Sequence, residues 1–99
     1  MIHSLKTLPE FFEEVASGRK TFEIRQNDRN FRVGNFIALN EYNGEYTGRF
    51  ILAEITYILD NPVYCREGMI AFSFAVCWIL DKHKNSHYTE EKDRRSCLP

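Results

Sequence analysis

Gly18-Arg19-Lys20-Thr21-Phe22-Glu23-Ile24-Arg25, continued by Gln26-Asn27-Asp28-Arg29 and closed by Phe31-Arg32-Val33-Gly34, carries the reading of the whole chain. It opens at a glycine able to stop a helix and enters a short alternating run. It ends in polar turn formers before a second glycine. In an extended strand Phe22 and Ile24 fall on one face, and Thr21, Glu23 and Arg25 on the other. A hydroxyl, a carboxylate and a guanidinium therefore project together, with Lys20 at the strand mouth. Such a row suits a small polar ligand or a nucleotide. A solvated strand face crossed by Glu23–Arg25 or Glu23–Lys20 ion pairs accounts for the same residues.

Working outward, 99 residues make one small domain with a single modest core. Composition is that of a soluble globular protein, 43% hydrophobic and 27% charged. A net charge of −1 argues against strong, indiscriminate nucleic-acid binding. The charge is unevenly placed, however. Arg19, Lys20, Arg25, Arg29 and Arg32 face only Glu23 and Asp28 within the central stretch, whereas the preceding segment carries Glu10, Glu13 and Glu14. A local positive patch on a neutral protein suits one anionic group better than a long phosphate track. Cys65, Cys77 and Cys97 are odd in number and widely spaced, indicating neither a disulfide framework nor a zinc site. No basic and then apolar leader is visible. The longest apolar run, Met69 to Leu80, is shorter than the about 20 residues a membrane helix needs. The expectation is a cytoplasmic protein with no membrane contact, metal or organic cofactor.

Ile2 to Thr7 reads as a first strand, with His3, Leu5 and Thr7 on one face. Pro9 to Ser17 reads as a helix: Leu8, Phe11, Phe12 and Val15 make an apolar stripe, and proline suits the first turn. Both phenylalanines are expected in the core, with the helix as a lid on a sheet. After the strand Thr21–Arg25, Asn35 to Tyr42 reads as a further strand, and Asn43-Gly44 as a hairpin turn. The return strand spans about Thr47 to Leu59, with Ile51, Ala53, Ile55, Tyr57 and Leu59 on one face. A last strand spans Met69 to Leu80, its bulky residues Ile70, Phe72, Phe74, Val76, Trp78 and Leu80 alternating with small ones. Residues 81–99 read as a polar, flexible tail outside a domain of residues 1–80. His83 and His87 there lack the partners a metal site needs. The fold class is mainly β with one or two helices (α+β): a small, partly open barrel.

The central stretch, with Leu8-Pro9-Glu10-Phe11-Phe12 before it, resembles the ASCH group of the PUA-like superfamily, and within it the small bacterial and phage proteins of unknown function. The similarity runs from His3 to about Leu59. It implies a PUA-like β-barrel with an N-terminal lid helix, and relatives with a histidine at the position of His3. In the related acetylcytidine amidohydrolases a lysine follows Gly-Arg, a threonine three residues later is the nucleophile, and a later glutamate assists. Lys20 matches the lysine. Glu23 stands where the threonine belongs, and Glu54 and Glu67 match the later glutamate only by proximity. A carboxylate does not replace a hydroxyl that must form and release an ester.

The resemblance implies binding of RNA or of a modified nucleoside or nucleotide. Lys20 and Arg25 would neutralise an anionic group. Glu23, Asn27 and Asp28 would read a base edge, with Thr21 and His3 lining the same cleft and Tyr42 or Tyr46 available for stacking. Two other classes compete. A small amidohydrolase on a modified nucleoside would use Lys20 and Glu23 as catalytic groups. A phage-type protein-interaction module would use the aromatic-rich segment from Phe36 to Phe50. A monomer or weak dimer is expected.

Overall fold

A computed structural model describes residues 1–81. The elements are β1 (Ile2–Thr7), α1 (Pro9–Ala16), β2 (Phe22–Gln26), β3 (Phe36–Tyr42), β4 (Tyr46–Leu59) and β5 (Met69–Leu80). The strands form one sheet in the order β1-β3-β4-β5-β2, with β1 parallel to β3 and every other pair antiparallel. The sheet curls into a half-barrel, bringing its two edge strands, β1 and β2, to face each other. Side chains bridge that seam: Arg25 Nη2 donates to Lys6 O at 2.8 Å, and Arg29 Nη1 donates to Ser4 O.

The core lies on the concave face and under α1, built from Leu5, Phe12, Val15, Ile37, Leu39, Ile51, Ile55, Ile70 and Phe72 with their neighbours. Only half of the expected helical stripe is buried. Phe12 and Val15 are core, while Leu8 and Phe11 are 51% and 43% exposed. Adjacent helical positions differ by about 100°, and an eight-residue helix packed against β3 buries a narrow stripe. The helix stops as the sequence suggests. Gly18 sits at φ 85°, its N–H bonding to Val15 O while the Arg19 N–H reaches back to Glu14 O. That pair of bonds closes a helix when the residue after the cap takes the left-handed conformation. The turn delivers Lys20 to the start of β2.

Two bulges correct the expected strand faces. Between Leu52 and Ala53 the ladder with β5 skips Cys77, so burial passes from Val76 to Ile79 and leaves Trp78 half-buried on the other face, edge-on to Phe50. Between Ile55 and Tyr57 it skips Thr56; Tyr57 turns outward at 63% exposure and Ile58 packs on the core. An inserted residue reverses a period-two pattern. Asn43-Gly44 does connect β3 to β4, with Gly44 at φ 81°.

Asp81 belongs with the barrel and not with a polar tail: it is buried and pairs with Arg49 at 3.3 Å. The remainder of the expected tail, with His83, His87 and Cys97, lies outside the described residues. Cys65 is a free thiol. Among the described residues no helix is long and apolar enough to cross a membrane, and no cluster of candidate metal ligands occurs.

Candidate functional site

Strand β2 runs along the sheet edge with its polar row turned inward. Its register with β5 sets Glu23 opposite Phe72 and Arg25 opposite Ile70, both core residues. Phe22 and Ile24 consequently point outward, 50% and 61% exposed, and Glu23 is only 5% exposed. A carboxylate this buried requires partners. Lys20 Nζ donates to Glu23 Oε2 at 2.6 Å and Arg25 Nε donates to Glu23 Oε1 at 2.9 Å. Lys20 Nζ also donates to Phe22 O at 2.7 Å and lies 5.0 Å from the centre of the Phe22 ring. The ion pairs anticipated as the structural explanation of the motif are therefore both formed.

This cluster forms the floor of a groove between α1 and β2. The groove encloses about 470 Å³ and is lined by Thr7, Phe11, Lys20, Phe22, Glu23 and Arg25, among others. The half-exposed Phe11 and Phe22 rings supply apolar walls. Thr7 is the residue that sequence reasoning overlooked. It is 4% exposed, lines the groove, and its Oγ1 has no hydrogen-bond partner among the described residues. Its parity with Leu5 marked it as inward-facing, but only the meeting of β1 with β2 carries it to this groove.

The other expected site residues are dispersed. His3 is buried at the far end of β1, its Nε2 within 2.9 Å of Asn35 Oδ1 and its ring 4.7 Å from that of Phe31. It contributes to the interior and does not line the groove. Thr21 is exposed, and its carbonyl accepts the Phe74 N–H. The Asn27 N–H bonds to Gly68 O, which ties the end of β2 to the loop before β5. Asp28, exposed and 3.7 Å from Arg29, lines a second groove of about 240 Å³ with Leu5, Arg25, Arg29 and Phe31. Glu54 lies on β4 opposite Phe36 and Ala75, and Glu67 lines a depression in the loop before β5, so neither lines the Lys20 groove. Tyr42 and Tyr46 meet edge-on beside Lys6, whose Nζ is 4.3 Å from the Tyr42 ring centre. Lys6 in turn lines the larger groove.

A second charged cluster lies elsewhere on the sheet and has a different character. Arg49 bonds to both oxygens of Glu41 at 2.9 and 2.7 Å, to Glu13 at 2.7 Å and to Asp81 at 3.3 Å. Its guanidinium also stacks 4.5 Å from the Phe12 ring centre. The hydrogen bonds from Arg49 hold the Glu41 carboxyl below the usual carboxylate range, and those from Glu41 raise the Arg49 pKa. Each of the three carboxylates accepts from Arg49, and the cluster joins α1, β3, β4 and the end of β5.

An "uncharacterized 12.9 kDa protein in GpA 3'region" of Escherichia phage P2 is 38% identical over 60 residues, which is 60% of this chain and 55% of the relative. The chain thus spans little more than half the length of that relative. A family model matches residues 2–74, from β1 through the first half of β5, so both grooves and the Lys20–Glu23–Arg25 cluster lie within it. The chain belongs to the family described as a domain of unknown function, DUF3850.

Proposed function

We propose that this protein binds an RNA base or a nucleotide-like ligand in the groove between α1 and β2. One observation carries the reading. Two half-exposed aromatic rings stand over a floor that combines a net positive charge with an unsatisfied buried hydroxyl. Flat heteroaromatic rings stack on such walls, and unpaired bases are read at their edges by hydrogen bonds. Lys20 and Arg25 carry two positive charges against the one negative charge of Glu23, leaving an excess of one for an anionic group. Glu23 uses one lone pair on each oxygen for these cations, and a carboxylate offers about four acceptor positions. The remainder suit the N–H groups of a base edge, while the Thr7 hydroxyl both donates and accepts. The half-barrel with one helix packed on it, and the likeness of Gly18 to Gly34 to ASCH-type sequences, support a PUA-like assignment and so the same reading.

A hydrolase acting on a modified nucleoside draws less support. Glu23 would have to release a cation to take a proton, and Glu54 and Glu67 stand away from the groove. A protein-interaction role draws on another surface: Ile24 and Tyr64 are 61% and 77% exposed around a shallow apolar depression reaching Met69.

The test is an amide-shift titration of labelled protein with short single-stranded RNAs, short DNAs and nucleosides including acetylcytidine. Saturable shifts that include Thr7, Phe11 and Lys20 to Arg25, and are lost in Lys20→Ala, support the reading. New ligand signals appearing with time support the hydrolase. Shifts in neither groove, in a spectrum that is otherwise well dispersed, overturn both.

A further inference from the structure

Resting on the binding reading above, we propose that the site takes two consecutive nucleotides of a single strand, with the connecting phosphodiester held by Arg25. The two grooves on the β1–β2 seam are adjacent and share Ile24 and Arg25 as their common wall. At about 470 Å³ the larger lies within the range of about 300–1,000 Å³ usual for small-ligand sites. The smaller, at about 240 Å³, falls below it and makes sense as an extension of its neighbour.

The wall between them is cationic, and part of it is unused. Of the donors on the Arg25 guanidinium, Nε is spent on Glu23 and Nη2 reaches Lys6 O. Nη1 has no hydrogen-bond partner among the described residues. Arg29 at the far side of the smaller groove likewise uses Nη1 on Ser4 O, and its Nη2 has no such partner. A guanidinium anchored by some of its donors presents the others in a fixed direction, the arrangement that favours phosphate oxygens. Lys20, Arg25 and Arg29 thus follow the seam in sequence: one cation in the larger groove, one on the partition and one in the smaller.

The linings of the two grooves differ. The larger has the Phe11 and Phe22 walls and suits a stacked base. The smaller has Leu5 and Phe31 beneath Asp28 and Arg29, an apolar base with one acceptor and one donor at its rim. Phe31 is itself buried, so the second nucleotide would meet its edge and the polar rim more than an open stacking face. The shared chemistry is an anionic phosphodiester flanked by two bases, and either RNA or DNA supplies it.

The experiment compares affinities of the full chain for the four nucleoside 5′-monophosphates with those for ribo- and deoxyribo-dinucleotides of the same bases, by amide-shift titration. The expected result is a dinucleotide at least tenfold tighter than its monophosphate, with added shifts at Asp28, Arg29 and Phe31. In Arg29→Ala and in Arg29→Gln the ratio of dinucleotide to monophosphate affinity should fall toward one, in variants whose amide spectra remain dispersed. A sugar preference in either direction supports the two-groove site and assigns the strand. Equal affinity for monophosphate and dinucleotide overturns this proposal and leaves the single-nucleotide reading standing. Absence of binding by both overturns the two together.

Discussion

Two charged clusters sit on this small sheet, each centred on a buried glutamate, and they have opposite consequences. Around Arg49, one guanidinium meets the carboxylates of Glu13, Glu41 and Asp81, and the Phe12 ring covers it. Around Glu23, one carboxylate meets the cations of Lys20 and Arg25. The Arg49 cluster carries a net charge of −2 and spends its cation entirely on neighbours of the same chain. The Glu23 cluster carries a net charge of +1 and opens on a groove. Burial alone does not mark a functional site, since both glutamates are about equally buried. What separates them is the sign of the charge left over and the space beside it.

The largest effect that would test this contrast is expected at Arg49. Arg49→Ala leaves Glu41 and Asp81 buried without their cation, and removing one partner of such a cluster costs about 3–5 kcal/mol. Because Glu13 is solvated, the lower end of about 3 kcal/mol is expected in urea denaturation. A loss below about 1 kcal/mol would mean that the cluster contributes no more than a surface pair.

Acid should act on the same cluster. The Glu41 carboxyl titrates below its ordinary 4.5 in the folded protein. Its contribution to stability is therefore present above the unfolded pKa and is lost as pH falls through the folded value. Stability should hold at neutral pH and decline below about pH 4.5, and Glu41→Gln should flatten that decline. An acid limb of unchanged steepness in Glu41→Gln would assign it to other carboxylates.

Lys20 belongs to the open cluster, so its loss should fall more on binding than on folding. Lys20→Ala should weaken nucleotide binding about tenfold, the scale of one charged hydrogen bond; Glu23 keeps Arg25 as a partner, so the stability loss should stay below the about 3 kcal/mol expected at Arg49. Unfolding of this variant, with unchanged affinity per folded molecule, would make Lys20 a structural residue and erase the distinction between the clusters.

The smallest effect, and the sharpest, is expected at Thr7. Its buried hydroxyl lacks a partner among the described residues, so Thr7→Val should be neutral or stabilising by up to about 1 kcal/mol. The same variant should bind nucleotide more weakly if the hydroxyl serves the ligand. A destabilised Thr7→Val with unaltered binding would return Thr7 to the barrel's own packing.

Much of the fold was legible locally. The first strand, the helix with its glycine stop, the Asn43-Gly44 hairpin and the long return strand follow from short-range rules: period-two and period-3.6 patterns, proline at the first helical turn, and glycine where φ is positive. The row Glu23–Arg25 with Lys20 at its mouth was legible for the same reason, because three nearby residues on one strand must stay together. His3 lies away from the groove, because parity shows that a side chain points inward without showing which end of the interior it occupies. Thr7, Phe11 and Arg49 were missed as site or cluster members because their partners lie on other elements.

By itself, then, the sequence determined the elements, their turns and the charge row on β2. Tertiary structure decided the rest: the parallel pairing of β1 with β3, the seam where β1 meets β2, and the two bulges that reverse strand faces. Those depend on contacts between residues tens of positions apart, and no local propensity encodes them. The groove exists only because the sheet curls far enough to bring its edges together.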